Sequence, residues 1–201
     1  MTKRNTKEDI LTATLELAAE KGLGNVSMQQ IADMVGIRKA SLYNHYPSKD
    51  DIVDAMYSTI REASKKRAEV ETDYERLVSE GSLESILTNA VDSYRMIVSD
   101  PQMNLFYRIL MNERSVNSVA SEIMVRETET MIDATKRLFE VIQKKGKAEF
   151  HDIDSAAISF AMAVHSIIDH EFDLLQIGKD CENNMMEKFI REFCHTYGKE
   201  E

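Results

Sequence analysis

The segment GIRKASLYNHYPSKDDI, residues 36–52, brings together the side chains best suited to binding DNA. It begins with two cations, Arg38 and Lys39, and continues with hydroxyl, amide, imidazole and aromatic groups. A helix fits the DNA major groove, where arginine or lysine bonds guanine O6 and N7 and small apolar groups contact the thymine methyl. The alternative is a solvated helix face above a small core made by Leu42 and Tyr46.

Each side-chain type in this region suits one kind of DNA contact. The two cations suit a guanine or a phosphate, the hydroxyl and amide groups suit polar edges, and Ala40 or the ring of Tyr43 suits a thymine methyl. Lys49 and the free N–H groups at the start of the following helix suit a phosphate. The predicted DNA contacts are Ser27, Gln29, Arg38, Lys39, Ala40, Ser41, Tyr43, Asn44, His45 and Lys49.

Helix start and stop signals around this segment outline a helix-turn-helix. Ser27 is a good N-cap, and Gln30 three residues later completes a capping box. Gly36 ends that helix, and the next is expected over about 38–46, where a proline stops it. A preceding helix, capped by Thr6, would support the pair. In such a unit the second helix enters the major groove and the first crosses the DNA backbone.

The rest of the chain shows helical spacing of apolar residues and no long alternation of the strand type. Caps at Ser48, Asp100 and Asp152 mark later helix starts. We therefore expect an all-α fold of about nine helices. It comprises an N-terminal three-helix helix-turn-helix DNA-binding domain, residues 1–48, and a helical ligand-binding and dimerisation domain, residues 49–201.

Charge and composition limit where and how the chain acts. Of the 201 residues, 1–67 carry 11 Lys and Arg against 9 Asp and Glu, whereas 68–201 carry 14 against 26. An acidic body would repel a DNA backbone, so DNA contacts are expected in the N-terminal part. Two cysteines, Cys181 and Cys194, suit thiols in a reducing cytosol. With no apolar run of about 20 residues and no signal peptide, we expect a cytoplasmic protein without membrane contact.

One pattern extends through residues 8–56. Its positions, in order, are Ile10, Leu17, Ala18, Gly22, Ser27, Ile31, Ala32, Gly36, Ile37, Ser41, Leu42, Tyr43, His45, Tyr46, Ser48, Lys49 and Ile52. This pattern resembles the N-terminal domain of the TetR family of transcriptional regulators, over about a quarter of the chain. Many members of the family have Ser or Thr where this chain has Arg38. The helix therefore lacks a side-chain cap worth about 1 kcal/mol, and the cation is available for a base or phosphate.

The resemblance implies a homodimer that binds a pseudo-palindromic operator, usually as a repressor. It also implies a helical C-terminal domain that binds a small molecule and dimerises. The last two predicted helices, about 152–177 and 182–197, suit a four-helix interface across a two-fold axis. The DNA contacts that the resemblance implies are Lys39, Tyr43, His45 and Lys49, with Ser27 and Gln29 near phosphates.

Methionine and aromatic residues of the C-terminal part suit either a packed core or a pocket for a largely apolar small-molecule effector. His165, Asp169 and Asp173 share one helix face, which suits an interface, a polar anchor in the pocket or, as the weakest alternative, a metal. No metal or other cofactor is expected. The predicted effector contacts are Tyr94, Met103, Phe106, Tyr107, Met124, Met131, Phe160 and His165.

The sequence leaves three classes of function to distinguish. The first is a ligand-responsive repressor released from its operator by the effector. The second is a DNA-binding protein of the same fold without an effector, which acts through a protein partner or in chromosome organisation. The third is an enzyme, which is not expected because the chain has no phosphate loop, nucleophile elbow or His-Glu-x-x-His motif.

Overall fold

The computed structural model describes residues 5–67, 73–180 and 184–199. Across these ranges the chain forms ten α-helices, one 3₁₀ turn at Leu23–Asn25 and one isolated antiparallel bridge between Ala148 and Gly198. The helices are α1, Thr6–Lys21; α2, Met28–Val35; α3, Lys39–His45; α4, Lys49–Arg67; α5, Tyr74–Ser79; α6, Leu83–Val98; α7, Pro101–Glu113; α8, Ser118–Lys144; α9, Ile153–Gln176; and α10, Met185–Tyr197.

The all-α prediction is confirmed, with one helix more than the approximate nine. The additional helix, α5, has six residues and begins after Asp73, whose carboxylate accepts a hydrogen bond from the Arg76 N–H at 3.1 Å. Lys144, the last residue of α8, and Lys145 after it also hold α5: they bond the Glu75 carboxylate at 2.7 and 2.9 Å and lower its pKa to about 2. No helix in the described ranges is both long and apolar enough to cross a membrane.

The chain divides into two compact units. The first comprises Met1–Ala68 and Ile97–Arg126, and the second comprises Glu69–Met96 and Glu127–Glu201. Helix α7 and the start of α8 therefore belong to the same unit as the first four helices. The predicted functional boundary after residue 48 is a different division of the chain, and it stays a prediction.

The helix-turn-helix of the first unit follows its predicted caps. The Ser27 hydroxyl accepts from the Gln30 N–H at 3.3 Å, and the Gln30 side-chain oxygen accepts from the Ser27 N–H at 2.8 Å. This is the predicted capping box of α2. Gly36 ends α2 in the left-handed region at φ 75°, which favours glycine. Arg38 is the N-cap of α3 and makes no side-chain cap, as expected.

The predicted cap of α1 at Thr6 is wrong. Thr6 is the first helical residue, and Asn5 precedes it as the N-cap. The Asn5 backbone carbonyl accepts from the Asp9 N–H at 3.0 Å, so the first helical hydrogen bond forms one residue earlier than predicted. The Asn5 side chain donates instead to the Glu8 carboxylate at 3.0 Å.

One continuous apolar core fills the first unit. Ile10 of α1, Leu42 of α3 and Ile52 of α4 are fully buried. Phe106 and Leu110 of α7 belong to the same cluster. The helix-turn-helix and α7 therefore share one core, and burial of their apolar surface stabilises them together.

The core of the second unit is rich in aromatic rings. Phe139 is fully buried and stacks on Phe150, with ring centroids 4.6 Å apart and planes 6° from parallel. Phe160 and Phe193 each lie 5.5 Å from Phe139, in edge or tilted geometry. Such offset and edge arrangements are the favourable ones for aromatic pairs. Tyr197 packs on Phe193 at 4.6 Å and extends the cluster to the end of α10.

One of the two cysteines, Cys194, lies within the described residues. Cys194 is a free, half-buried thiol on α10, and burial raises its pKa to about 11, with a further contribution from the Glu84 carboxylate. A thiol with a raised pKa is a poor nucleophile, which suits a structural role. Cys181 lies outside the described residues, as does the predicted start of the last helix at residue 182.

Candidate functional site

Helix α3 is amphipathic in the way a DNA-reading helix requires. Leu42 is fully buried and anchors the helix to the core. The opposite side carries polar, cationic and aromatic groups, and the Tyr43 side chain is 44% exposed. Of the predicted contacts on and beside this helix, Arg38, Lys39, Ala40, Tyr43 and Asn44 are exposed, whereas Ser41 and His45 are half-buried. These seven residues therefore lie together on one short, accessible element.

A cation and an aromatic ring of α3 are paired. The Lys39 Nζ lies 5.9 Å from the centroid of the Tyr43 ring. A cation over an aromatic face is weakly attracted to it at an exposed site. At the end of α3, Lys7 of α1 lies at the same distance over the ring of Tyr46. Each of the two rings thus has a cation beside it.

Ser27 and Gln29, the two predicted DNA contacts at the start of α2, each make a hydrogen bond to a nearby side chain of the same helix. The Ser27 hydroxyl bonds Gln30 in the capping box, and the Gln29 side-chain amide donates to the Asp33 carboxylate at 2.7 Å. Both side chains are exposed at the surface. Their predicted position near phosphates stays a prediction, and the backbone N–H groups of this helix start suit the same role.

Lys49 has partners that its sequence position did not suggest. Its Nζ donates to the backbone carbonyls of Leu23 and Val26 at 2.8 and 3.0 Å. Beside it, the Ser48 hydroxyl caps α4 by accepting from the Asp51 N–H at 3.1 Å. The predicted cap of α4 is therefore present. The Lys49 ammonium is occupied within the protein and half-buried.

The predicted effector contacts fall into both units. Met103, Phe106 and Met124 are buried in the core of the first unit, and Tyr107 packs against that core. In the second unit Met131 is buried and Phe160 belongs to the aromatic cluster. The remaining two, Tyr94 and His165, are brought together, with the tyrosine oxygen 3.1 Å from His165 Nδ1.

A polar network links α6 to α9 in the second unit. His165 Nε2 lies 3.6 Å from the Asp169 carboxylate, which extends the contact with Tyr94. One residue further along α6, Arg95 donates to both oxygens of Glu171 at 3.1 and 3.0 Å. Asp173, the third member of the predicted stripe, is exposed. In the described ranges no group of three or more His, Cys, Asp or Glu residues is arranged to hold a metal ion.

Sequence reasoning missed Arg95 and Glu171, and it missed a cavity beside them. This cavity of about 270 Å³ is lined by residues of α6, α9 and α10. Arg95 and Glu171 are 76 positions apart, so no local spacing could have paired them. The lining residues are Thr88, Val91, Asp92, Arg95, Glu171, Asn184, Met186, Glu187 and Ile190.

Comparison with known families identifies this combination of a helix-turn-helix with a helical second part. Residues 10–56 match the model of bacterial regulatory proteins, tetR family. Residues 85–199 match the model of the AefR-like transcriptional repressor, C-terminal domain, which covers more than half of the chain. The chain belongs to the TetR family of transcriptional regulators.

Individual relatives resemble the chain in part or in fold. The nucleoid occlusion factor SlmA of Yersinia enterocolitica is 34% identical over 67 residues, which are 33% of this chain and 34% of that protein. The chain thus spans about a third of the length of the curated relatives it matches. Among solved structures, the SmeT–triclosan complex has a TM-score of 0.73 at 15% identity, covering 98% of this chain and 93% of that one. The flavonoid-responsive regulator FrrA has a TM-score of 0.72 at 22% identity, covering 98% of both chains.

Proposed function

We propose that the protein is a homodimeric repressor that binds a pseudo-palindromic operator through α3 and is released by a small, largely apolar effector. The observation that carries this proposal is the exposed face of α3, on a helix anchored by the buried Leu42. A mainly negative chain that places Arg38 and Lys39 on such a face has the local charge that phosphate binding needs. Operator binding also implies a location with the chromosome, in the cytoplasm.

The proposed DNA contacts divide by geometry. The first residues of a recognition helix lie closest to the bases, so Arg38, Lys39 and Ala40 would contact base edges together with Ser41 and Asn44. Tyr43 and His45, further along α3, would contact phosphates. Ser27 and Gln29 would lie near the backbone that α2 crosses. Two copies of α3 in a dimer would read half-sites about 34–36 Å apart, which is one turn of DNA.

We place the dimer interface on α9 and α10. Ile158 and Met162 lie one helical turn apart on α9 and are 48% and 42% exposed. Exposed apolar residues at this spacing form a face that a second copy would cover.

The effector would be an apolar molecule with at least one polar group. SmeT is solved with triclosan, and FrrA is named flavonoid-responsive. In this chain the paired Tyr94 and His165 supply a hydroxyl and an imidazole to receive such a group. An effector that binds one conformation more tightly than another would shift the population away from the DNA-binding state.

A second candidate is a DNA-binding protein that acts without an effector. It is favoured by the match to the nucleoid occlusion factor SlmA and by the tight burial of several predicted effector contacts, such as Met103 and Phe106. Such a protein would act through a protein partner or in chromosome organisation. It would bind many related sites and respond to no small molecule.

Affinity selection of the protein's own genomic fragments tests the first candidate. The purified protein would be mixed with the fragments at two salt concentrations and the bound DNA sequenced. We expect a pseudo-palindrome near few genes, enriched less at high salt, and that operator then serves to screen phenolic and flavonoid-like compounds for release. Enrichment of many dispersed sites with no compound causing release would favour the second candidate, and no enrichment at all would contradict both.

A further inference from the structure

The Leu23–Asn25 turn between α1 and α2 is held by charged side chains from two other helices. Lys49, the first residue of α4, donates to the carbonyls of Leu23 and Val26. Glu113, the last residue of α7, accepts from the Gly24 N–H at 3.2 Å. The Lys49 ammonium thus binds backbone carbonyl groups, and the Glu113 carboxylate binds a backbone N–H, in the same short segment. All these residues belong to the first unit.

Lys49 is placed where its charge is otherwise unfavourable. The N-terminus of a helix carries partial positive charge, which repels a cation in the first turn. The two carbonyls offset this, because they present partial negative charge at 2.8 and 3.0 Å. Leu23 and Val26 are themselves buried, so the turn is fixed from the inside by their side chains and from the outside by Lys49. An ammonium that is bound in this way is poorly placed to neutralise a phosphate.

The Glu113 carboxylate lies close to two glycines, Gly22 just before the turn and Gly24 within it. A Cβ built on Gly22 or on Gly24 would lie 3.4 Å from a Glu113 carboxylate oxygen. Gly22 also has φ +78°, which favours glycine. The carboxylate accepts directly from the Gly24 N–H, and it ties the end of α7 to the segment that leads into the Ser27 cap of α2.

We propose that Lys49 and Glu113 are positioning residues for DNA binding, which hold the Leu23–Asn25 turn and with it the α2–α3 pair in the orientation that fits the major groove. This inference rests on the proposed DNA-binding function. It assigns Lys49 to the protein backbone rather than to a DNA phosphate. It also means that the Glu113 carboxylate favours DNA binding by holding the turn, although DNA repels its negative charge.

The test compares operator affinities of Glu113→Ala, Glu113→Gln and the matched control Glu122→Ala, which removes an exposed carboxylate from α8 of the same unit. If charge alone mattered, both alanine variants would bind DNA slightly more tightly. Positioning predicts that Glu113→Ala binds about five- to tenfold more weakly, the equivalent of one hydrogen bond. Glu113→Gln retains an acceptor oxygen and should recover most of the loss. Tighter binding by Glu113→Ala would overturn the proposal.

Salt dependence provides the test for Lys49. Lys49→Gln should weaken binding while the slope of log K against log salt stays at the wild-type value, because no phosphate contact is lost. The loss of one phosphate contact would instead lower the slope by about 0.9. A slope lowered to the same extent by Lys49→Gln would overturn the assignment. In the double variant Lys49→Gln, Glu113→Ala, the losses should not add, since both act through one turn.

Hydrogen exchange separates the failure of this inference from the failure of the proposed function. In the DNA-free protein the Gly24 amide should exchange about five- to tenfold faster in Glu113→Ala than in wild type. If the wild type binds no DNA, the proposed function fails, while the exchange result still decides whether Glu113 holds the Leu23–Asn25 turn. Unchanged exchange at Gly24 in a variant with wild-type helix content would show that Glu113 does not hold the turn.

Discussion

The side chain of Tyr43 belongs to the surface of α3 rather than to its core. It is 44% exposed and lies beneath the Lys39 ammonium. Its removal should therefore affect DNA and leave folding intact. We expect Tyr43→Ala to weaken binding to operator and to unrelated duplex alike, by about ten- to a hundredfold, because a phosphate contact and the support for Lys39 are lost together. Fluorescence anisotropy with both duplexes measures this.

The neighbouring Leu42 supplies the matched control. It is fully buried, so Leu42→Ala should lower the free energy of unfolding by about 2–5 kcal/mol. Tyr43→Ala should stay within about 0.5 kcal/mol of wild type, as surface substitutions do. If urea denaturation shows the opposite order, α3 does not present Tyr43 to DNA.

The exposed polar face of α3 was accessible from sequence because its residues follow one another within seven positions, and their contacts with DNA stay a prediction. The partners of Lys49 were not accessible from sequence, since the Leu23 and Val26 carbonyls are 26 and 23 positions away. Glu113 is 89 positions from Gly24. A backbone carbonyl has no sequence signature, and such long-range pairs follow only from the packing of whole helices.

At the scale of helices, the start of α7 is fixed by one aspartate with two kinds of partner. The Asp100 carboxylate accepts from the N–H groups of Gln102 and Met103 at 3.1 and 3.2 Å. It also bonds Arg67 Nε of α4 at 2.6 Å. The bond from Arg67 is the main reason why the pKa of Asp100 is lowered. Asp100 thus caps α7 and ties it to α4.

The prediction at this scale concerns the pH dependence of that cap. Because the folded-state pKa of Asp100 is below its ordinary value, its ionised form contributes stability above that ordinary value, and this is lost as pH falls through the lowered pKa. Asp100→Ala should lower the unfolding free energy by about 1 kcal/mol at pH 7, mostly from the cap, since Arg67 is half-exposed. Denaturation at pH 7 and near pH 2 measures both values. A destabilisation that persists undiminished at low pH would contradict the account.

Helix boundaries show what local signals can and cannot predict. The caps at Ser27, Ser48, Asp100 and Asp152 were predicted because side chains capable of capping stand directly before apolar periodic runs. Helix α5 has no such run, and its ties to Lys144 and Lys145 come from far along the chain. Short helices that depend on distant contacts are not visible in sequence.

At the scale of the whole molecule, the sequence could not separate effector contacts from core residues, and the predicted effector contacts stay a prediction. Methionines and aromatic residues have the same spacing whether they fill a core or line a cavity. Phe160 illustrates this, because it packs 5.5 Å from Phe139 and 4.9 Å from Phe193 inside the aromatic cluster. Only the three-dimensional packing distinguishes the cavity beside Arg95 from the filled core.

The homodimer gives the prediction for the whole molecule. Met162→Asp places a charge in the proposed α9 interface and should convert the dimer to a monomer by analytical ultracentrifugation. The monomer should lose most affinity for the full operator and keep its weak affinity for one half-site. Val116→Asp changes a side chain that is 82% exposed in the turn between α7 and α8 and should leave the dimer unchanged. A Met162→Asp protein that remains dimeric would place the interface elsewhere.

Salt-dependent affinity for the selected operator is the most direct test of the central claim, that two copies of α3 read one pseudo-palindrome. The measurement compares the intact operator, a single half-site and an unrelated duplex between 50 and 200 mM salt. We predict two chains per operator, at least about a thousandfold preference over unrelated DNA, and a steep loss of affinity with salt. Equal affinity for all three duplexes with little dependence on salt would contradict the account.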